Sequence, residues 1–483
     1  MNTKLLKQKI LDLAIRGKLT QQLKSDGTAR ELLEQISSKV SSSSSILSSP
    51  RRRGSPSPSA AKTIIPLDKS EVPFEVPANW EWVRLGDLCK ASSGKTPSTS
   101  QKEFWNGNVL WVTSKDVKQK YIDSTQICLS DLGASSMQLY PPKTMIIVGR
   151  SGILRHSLPV AILKKSATVN QDLKALVFKD NRIVEFIYAV IKGMEQHLLH
   201  EYKKAGTTVD NLNFDLFLTA PIPLPPLAEQ QRIVAKIEEA FAEIDSIENN
   251  KELLKTHIKQ ARQKILDLAI HGKLVPQNKA DEPARVLLER ITRDNPHYEK
   301  IEDEPFEIPE NWAWCRLRNL SESIQYGYNA PAKDSGRIKM VRISDIHENE
   351  VEWNSVPYCD IDEKEIQTYL LKKNDILFAR TGGTVGKSFI VNNLPEDAVY
   401  AGYLIRTRYG KNANAQYMKY FMESNLYWEQ LRDGCIATAQ PNCNGKTLGK
   451  MKIPLPPLNE QSRIVAKIEE LFSTLDQMER NLV

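Results

Sequence analysis

The nearest approach to a catalytic constellation is TGGTVGKS at 381–388, which follows the strand-like run DILFAR and ends in Gly386, Lys387 and Ser388. A loop that cradles phosphate needs another glycine five residues before that tail, so that backbone N–H groups can turn toward the anion. Thr381 holds that position. The residues that follow, FIVNN, read as a strand, so the helix N-terminus that completes such a site is not expected. Gly94, Lys95 and Thr96 fail the same test, with Cys89 where the glycine should stand. There is no Asp/Asn-Pro-Pro-Tyr/Phe methyltransferase tetrapeptide and no GxGxxG after a strand. The seven histidines form no HxH or HExxH, and the six cysteines form no CxxC and no zinc spacing. The chain therefore reads as a binding protein that carries neither a catalytic site nor a cofactor of its own.

Composition agrees with that reading. A net charge of +7 and a pI near 8.8 permit an acidic partner such as DNA without requiring one. Hydrophobic and charged contents of 41% and 26% are those of an ordinary globular protein. The start, MNTKLLKQKILDLAI, has no uninterrupted apolar region, and no stretch approaches the roughly 18 apolar residues of a membrane span. A cytoplasmic protein with reduced thiols is expected, with no membrane among its partners.

The elements that must position any binding residue are repeated. Residues 222–245 (IPLPPLAEQQRIVAKIEEAFAEID) and 453–476 (IPLPPLNEQSRIVAKIEELFSTLD) are identical at 18 of 24 positions. PFEVPANWEWVRLGDLC at 73–89 returns at 305–321 as PFEIPENWAWCRLRNLS, and QKILDLAIRGKL at 8–19 returns at 263–274 as QKILDLAIHGKL. In mid-chain the first motif runs on into the last without a break. The other copies of these two motifs lie at opposite ends of the sequence. This order implies a pseudo-two-fold molecule with one continuous and one split helical region.

The central helical region carries a heptad. Ile237, Ile244, Lys251, Ile258 and Ile265 form one row, and Ala240, Ile247, Leu254, Ala261 and Leu268 the other. Such a seam predicts a helix of about 40 residues paired antiparallel with helices from the split copy. Between the helices, LWVTS, MIIVG and ALVF in one segment and MVRIS, ILFAR and LIRTR in the other predict two α+β domains, each with one helix. The fold class is thus α+β, two α+β domains on long antiparallel coiled-coil helices. The divisions are 1–36 (N-terminal part of the split helical region), 37–70 (a Ser/Pro/Arg-rich linker expected to be disordered), 71–221 (first domain), 222–303 (central coiled coil), 304–452 (second domain) and 453–483 (C-terminal helix pairing with the central one).

Together these motifs resemble the specificity subunit of type I restriction–modification enzymes. The resemblance rests on the doubled IPLPPL.EQ.RIVAKIE, the repeated QKILDLAI.GKL, the NW.W start of each domain, SSGKTPS at 92–98, VNQDLKAL at 169–176 and ARTGGTVGK, and it covers nearly the whole chain. It implies two target recognition domains, each reading half of a bipartite double-stranded DNA site, held apart by the helices. It also implies two modification subunits that bind S-adenosylmethionine, and two restriction subunits that use ATP and Mg. Two other readings stay open: a coiled-coil scaffold with two protein-binding domains, and the specificity module of a stand-alone methyltransferase.

Sequence readout needs side chains that reach base edges, and phosphate contacts need cations, hydroxyls and free N–H groups. In the first domain the candidates in turns and at strand ends are Ser93, Lys95, Thr96, Ser114, Lys115, Arg150, Ser151 and Gln171. In the second they are Tyr326, Tyr328, Arg342, Ser344, Arg380, Thr381, Thr384, Lys387, Gln440, Asn442 and Asn444.

Overall fold

The structure, a computed structural model, describes residues 2–43, 64–206, 208–293, 298, 300–347, 349–434 and 442–482. The chain divides into two compact units, Met1–Asn249 and Asn250–Val483. One helix, Leu227–Ile270, contributes its first half to the first unit and its second half to the second. At 44 residues it is about 66 Å long. The prolines of IPLPP precede it and the last helix, Leu458–Arg480, and keep either from starting earlier.

In the first unit, the helix Thr3–Ile15 lies antiparallel on the long helix. Thr3 bonds Glu248, and Lys7 pairs with Asp245 and Glu248. In the second unit, Arg262 of the long helix pairs with Asp476 and Glu479 of the last helix. The helices ending in AIRGKL and AIHGKL stop in the same way. Gly17 and Gly272 take φ of +68° and +66°, and the next N–H returns to Leu13 and Leu268 respectively at 2.8 Å. Both glycines also lie under a proline: an added Cβ would be 2.4 Å from Pro77 Cγ and 2.3 Å from Pro309 Cγ.

Each α+β domain hangs on a two-stranded neck. Glu81–Arg84 pairs antiparallel with Pro221–Leu224, and Ala313–Arg316 with Lys452–Leu455, in the same register. Beyond the neck, the first domain has a five-stranded sheet in the order Cys89–Ser93, Leu173–Phe178, Met145–Val148, Val160–Leu163, Tyr121–Ile122. The second has Ser323–Tyr326, Leu404–Arg408, Ile376–Ala379, Ser388–Ile390, matching the first four strand for strand. The runs MIIV and ILFA are continuously apolar because both faces of these strands are covered. Met145 and Ile147 face the core shared with the helices, whereas Ile146 and Val148 face a second core in the domain. Ile376 and Phe378, against Leu377 and Ala379, divide in the same way.

Three expectations need correction. The stretch 37–70 is not linker throughout. The helix Ala29–Ser43 continues into it because Leu32, Leu33 and Ile36 form a buried stripe, and Ile64 is buried in the same core. Residues 44–63 lie outside the described residues. Where one helix per domain is expected, consecutive helices stand, Val184–Gly193 and Glu195–Tyr202, and Ala415–Phe421 and Asn425–Gly434, besides shorter ones such as Asp131–Ser135 and Glu363–Tyr369. The heptad seam is also narrower than expected. Ile237, Ile244 and Ile258 are buried, but Ile247 and Leu254 of the second row are 49% and 39% exposed.

Candidate nucleic-acid interface

One close approach in each domain gathers the candidate residues. An added Cβ at Gly94 would lie 2.0 Å from the Val169 carbonyl oxygen and 2.3 Å from that of Asn170, so 93–96 presses against the turn 169–172. The Lys95 N–H donates to Val169 O at 3.0 Å, and the Thr96 hydroxyl bonds the Gln171 side chain. Gly149 and Arg150 N–H both donate to Asp172 O, at 2.8 and 3.2 Å. Ser151 caps the next turn, accepting from Ile153 N–H at 3.3 Å. Ser93, Lys95, Thr96, Arg150, Ser151 and Gln171 thus share one end of the sheet, all exposed except the half-buried Ser151. The turn holding Ser114 and Lys115 starts beside them, where Asn170 N–H donates to Val112 O at 3.0 Å.

The second domain repeats the junction with other side chains. Gly327 sits on the carbonyls of Ala401 and Tyr400, which a Cβ would approach to 2.2 and 2.4 Å. Arg380 places its guanidinium 4.7 Å from the Tyr326 ring centroid, and Gly445 N–H donates to the Tyr326 hydroxyl at 2.9 Å. Thr381 bridges to Asn442, and Asn444 accepts from Thr447 N–H at 2.9 Å, capping a short turn of helix. Thr384 and Lys387 line a cavity of about 310 Å³ with Ile343, Asn349 and Phe389.

Two candidates are engaged elsewhere. The Arg342 guanidinium grips the buried Asp345 at 2.7 and 3.1 Å, a partnership that raises its pKa, and Ser344 is exposed in the same turn. Tyr328 packs on Tyr369 at 5.2 Å. Gln440 lies outside the described residues.

The loop TGGTVGKS has a packing explanation. A Cβ on Gly386 would come within 2.2 Å of Leu431 and 2.6 Å of Trp428, and Ser388–Ile390 continues as a strand. This glycine admits two side chains to the core.

Sequence reasoning missed two residues at this edge. Lys174 donates from Nζ to Ser93 Oγ at 2.6 Å and lies 5.2 Å from the Phe214 ring centroid. A lysine in mid-strand reads as solvated, and nothing in the sequence ties it to a phenylalanine 40 residues on.

Two like domains that carry different polar surfaces on repeated helical frames define a paired-recognition architecture. The sequence profile of the type I restriction modification DNA specificity domain matches twice, at 77–256 and 309–482. The chain belongs to this family and is a specificity subunit with two target recognition domains. It is similar to the EcoAI specificity subunit of Escherichia coli, 23% identical across 98% of this chain and 90% of the relative. It is also similar to the EcoR124I/EcoR124II specificity subunit of Escherichia coli, 36% identical across 35% of this chain and 42% of the relative. A solved chain from a study of type I R-M complex assembly and conformational transition shares the fold, with a TM-score of 0.57 at 19% identity, covering 85% of this chain and 94% of the other.

Proposed function

We propose that each domain reads one half of a bipartite duplex DNA target and that the chain scaffolds the subunits that act there. Those partners are two modification subunits holding S-adenosylmethionine and two restriction subunits using ATP and Mg. The chain itself positions and does not catalyse, and it works in the cytoplasm. The observation that carries this reading is the repeated junction: Gly94 on 169–170 and Gly327 on 400–401 hold the same backbone contact and present different side chains. One geometry with two surfaces suits two different half-sites. Base choice then follows from amides such as Gln171 and Asn444 toward adenine and from arginines such as Arg150 toward guanine.

Methylome sequencing of cells carrying the chain and its modification subunits tests this directly. The expected result is a two-part motif with an unread spacer. A contiguous motif, or no new methylation from an assembled complex, would overturn the reading. Methyl transfer from S-adenosylmethionine by the purified chain alone would overturn the non-catalytic role. A phage restriction assay then separates a full restriction system from a stand-alone methyltransferase.

A further inference from the structure

Lys174 and Arg380 come from different strands and still occupy corresponding places in their domains. Lys174 lies on Leu173–Phe178, whose counterpart is Leu404–Arg408, whereas Arg380 follows Ile376–Ala379, the counterpart of Met145–Val148. Each nevertheless reaches the last residue of the matched edge strand, Ser93 in one domain and Tyr326 in the other.

Both cations are held in place. The Lys174 stem packs on Gly149, where an added Cβ would meet its Cγ at 3.1 Å. Its Nζ is fixed by the 2.6 Å bond to Ser93 and by the Phe214 ring. Arg380 lies over a ring fixed at its hydroxyl by Gly445, and Nη1 points to Gly402 O at 3.4 Å. Phe214 and Gly445 are 231 residues apart, the distance between the IPLPP motifs. In the second domain Arg342 is neutralised by Asp345, and Arg408, at the other end of the edge-strand pair, by Asp375. Among the described residues neither Lys174 nor Arg380 has a carboxylate partner. A partly desolvated cation on an aromatic ring keeps spare N–H donors for an outside anion.

We propose that these two seated cations are equivalent anchors, each holding one backbone phosphate of its DNA half-site. The inference rests on the DNA-reading function above. It assigns phosphate rather than a base because charge and place are kept while every side chain around them differs. A contact common to two different half-sites carries no sequence information, and the phosphate is what the half-sites share.

The test uses the complex assembled with its modification subunits. Fluorescence anisotropy is recorded on a duplex carrying the methylome-defined target and on an unrelated duplex, across a salt series. Lys174→Ala and Arg380→Ala should each weaken both duplexes by the same factor, roughly tenfold near 0.1 M salt, and flatten the slope of log K against log salt by about 0.9. Lys174→Arg and Arg380→Lys should keep the slope, and the methylated motif should be unchanged in all four. If an alanine variant fails to assemble, Lys174→Gln and Arg380→Gln remove the charge at similar size and give the same readout. An altered motif, or a loss confined to the target duplex, would assign these residues to base reading and overturn the anchor. An unchanged slope in a folded complex would overturn it as well. A wild-type complex that bound neither duplex would sink the DNA-reading function itself, an outcome distinct from the other two.

Discussion

Asp26 accepts hydrogen bonds from both ends of the Arg232 guanidinium, at 2.7 and 2.6 Å across 206 residues of sequence. The second unit repeats the grip, with Arg463 on Asp281 at 2.7 Å. The contact ties the loop after the first helix to the start of the long helix, beside the bonds from Gln22 to Glu229 and from Arg232 to Gln21 O. Arg232 also holds the Asp26 carboxyl below the usual carboxylate range.

For a carboxyl held low, the stabilisation is fully present above the unfolded value near pH 4 and is lost as pH falls through the folded one. Asp26→Asn should cost about 2 kcal/mol at pH 7. It should also flatten the acid limb of the stability profile, measured by urea unfolding between pH 7 and pH 3. An acid limb as steep as the wild type's would show that the pair does not contribute.

Glu229 should show the opposite sign. It is fully buried and accepts from Gln22 at 2.6 Å and from the Trp80 indole at 3.0 Å, yet burial pushes its carboxyl up against the pull of those donors. Its contribution is present below about pH 4.3 and declines as pH rises through the raised folded value. Glu229→Gln should therefore gain on the wild type between pH 4 and pH 7 in the same unfolding assay. Glu229→Ala, which strands the donors of Gln22 and Trp80, should cost about 1–3 kcal/mol near pH 4 and less as pH rises, because it removes the same titration. Equal pH slopes for Glu229→Gln and the wild type would refute the account.

Gly17→Ala meets two obstacles, a φ of +68° and the Pro77 ring 2.4 Å from the new Cβ. The left-handed backbone alone costs about 1–2 kcal/mol. Adding Pro77→Ala should recover the steric part and leave the backbone part, so the double mutant should be more stable than the sum of the singles implies. Strict additivity in thermal unfolding would place the whole cost in the backbone.

The neck predicts modular exchange. Because Glu81 pairs with Leu224 and Arg84 with Pro221, the chain enters and leaves the first domain on adjacent strands. Replacing residues 85–220 with the corresponding segment of a relative should change one half of the methylated motif and leave the other intact. A change in both halves would mean that the domains read jointly.

Much of this was legible in the sequence because repeats and periodicity are local signals. IPLPP marked where both long helices begin, and MIIV and ILFA read as strands; that AI.GKL ends two helices and that both strands are covered on each face came only from the structure. The glycine of the Gly-Lys-Ser tail was read only against a phosphate loop, and its packing role depends on Leu431 and Trp428, 45 and 42 residues away in sequence. Nothing in the sequence pairs Asp26 or Asp281 with its arginine, which lies far along the chain. At the candidate edge, turn residues announce themselves by type, whereas Lys174 gained its place only when Ser93 and Phe214 closed around it. Arg342 shows the converse, a cation of the right type whose fork is taken by Asp345 three residues on.

The antiparallel seating of the first helix has a consequence for synthesis. Leu11, Ala14 and Ile15 are buried against the helix Val184–Gly193 and the long helix, where Gln8 also bonds Gly193 O at 2.9 Å. The first of these covers is translated about 180 residues later, and the second is finished only after about 230. At a typical 5–20 residues per second, the helix Thr3–Ile15 waits roughly 10 to 50 s for its place. During that interval its apolar face is open to chaperones and to neighbouring nascent chains. A ribosome stalled short of residue 227 would leave that helix without its second cover.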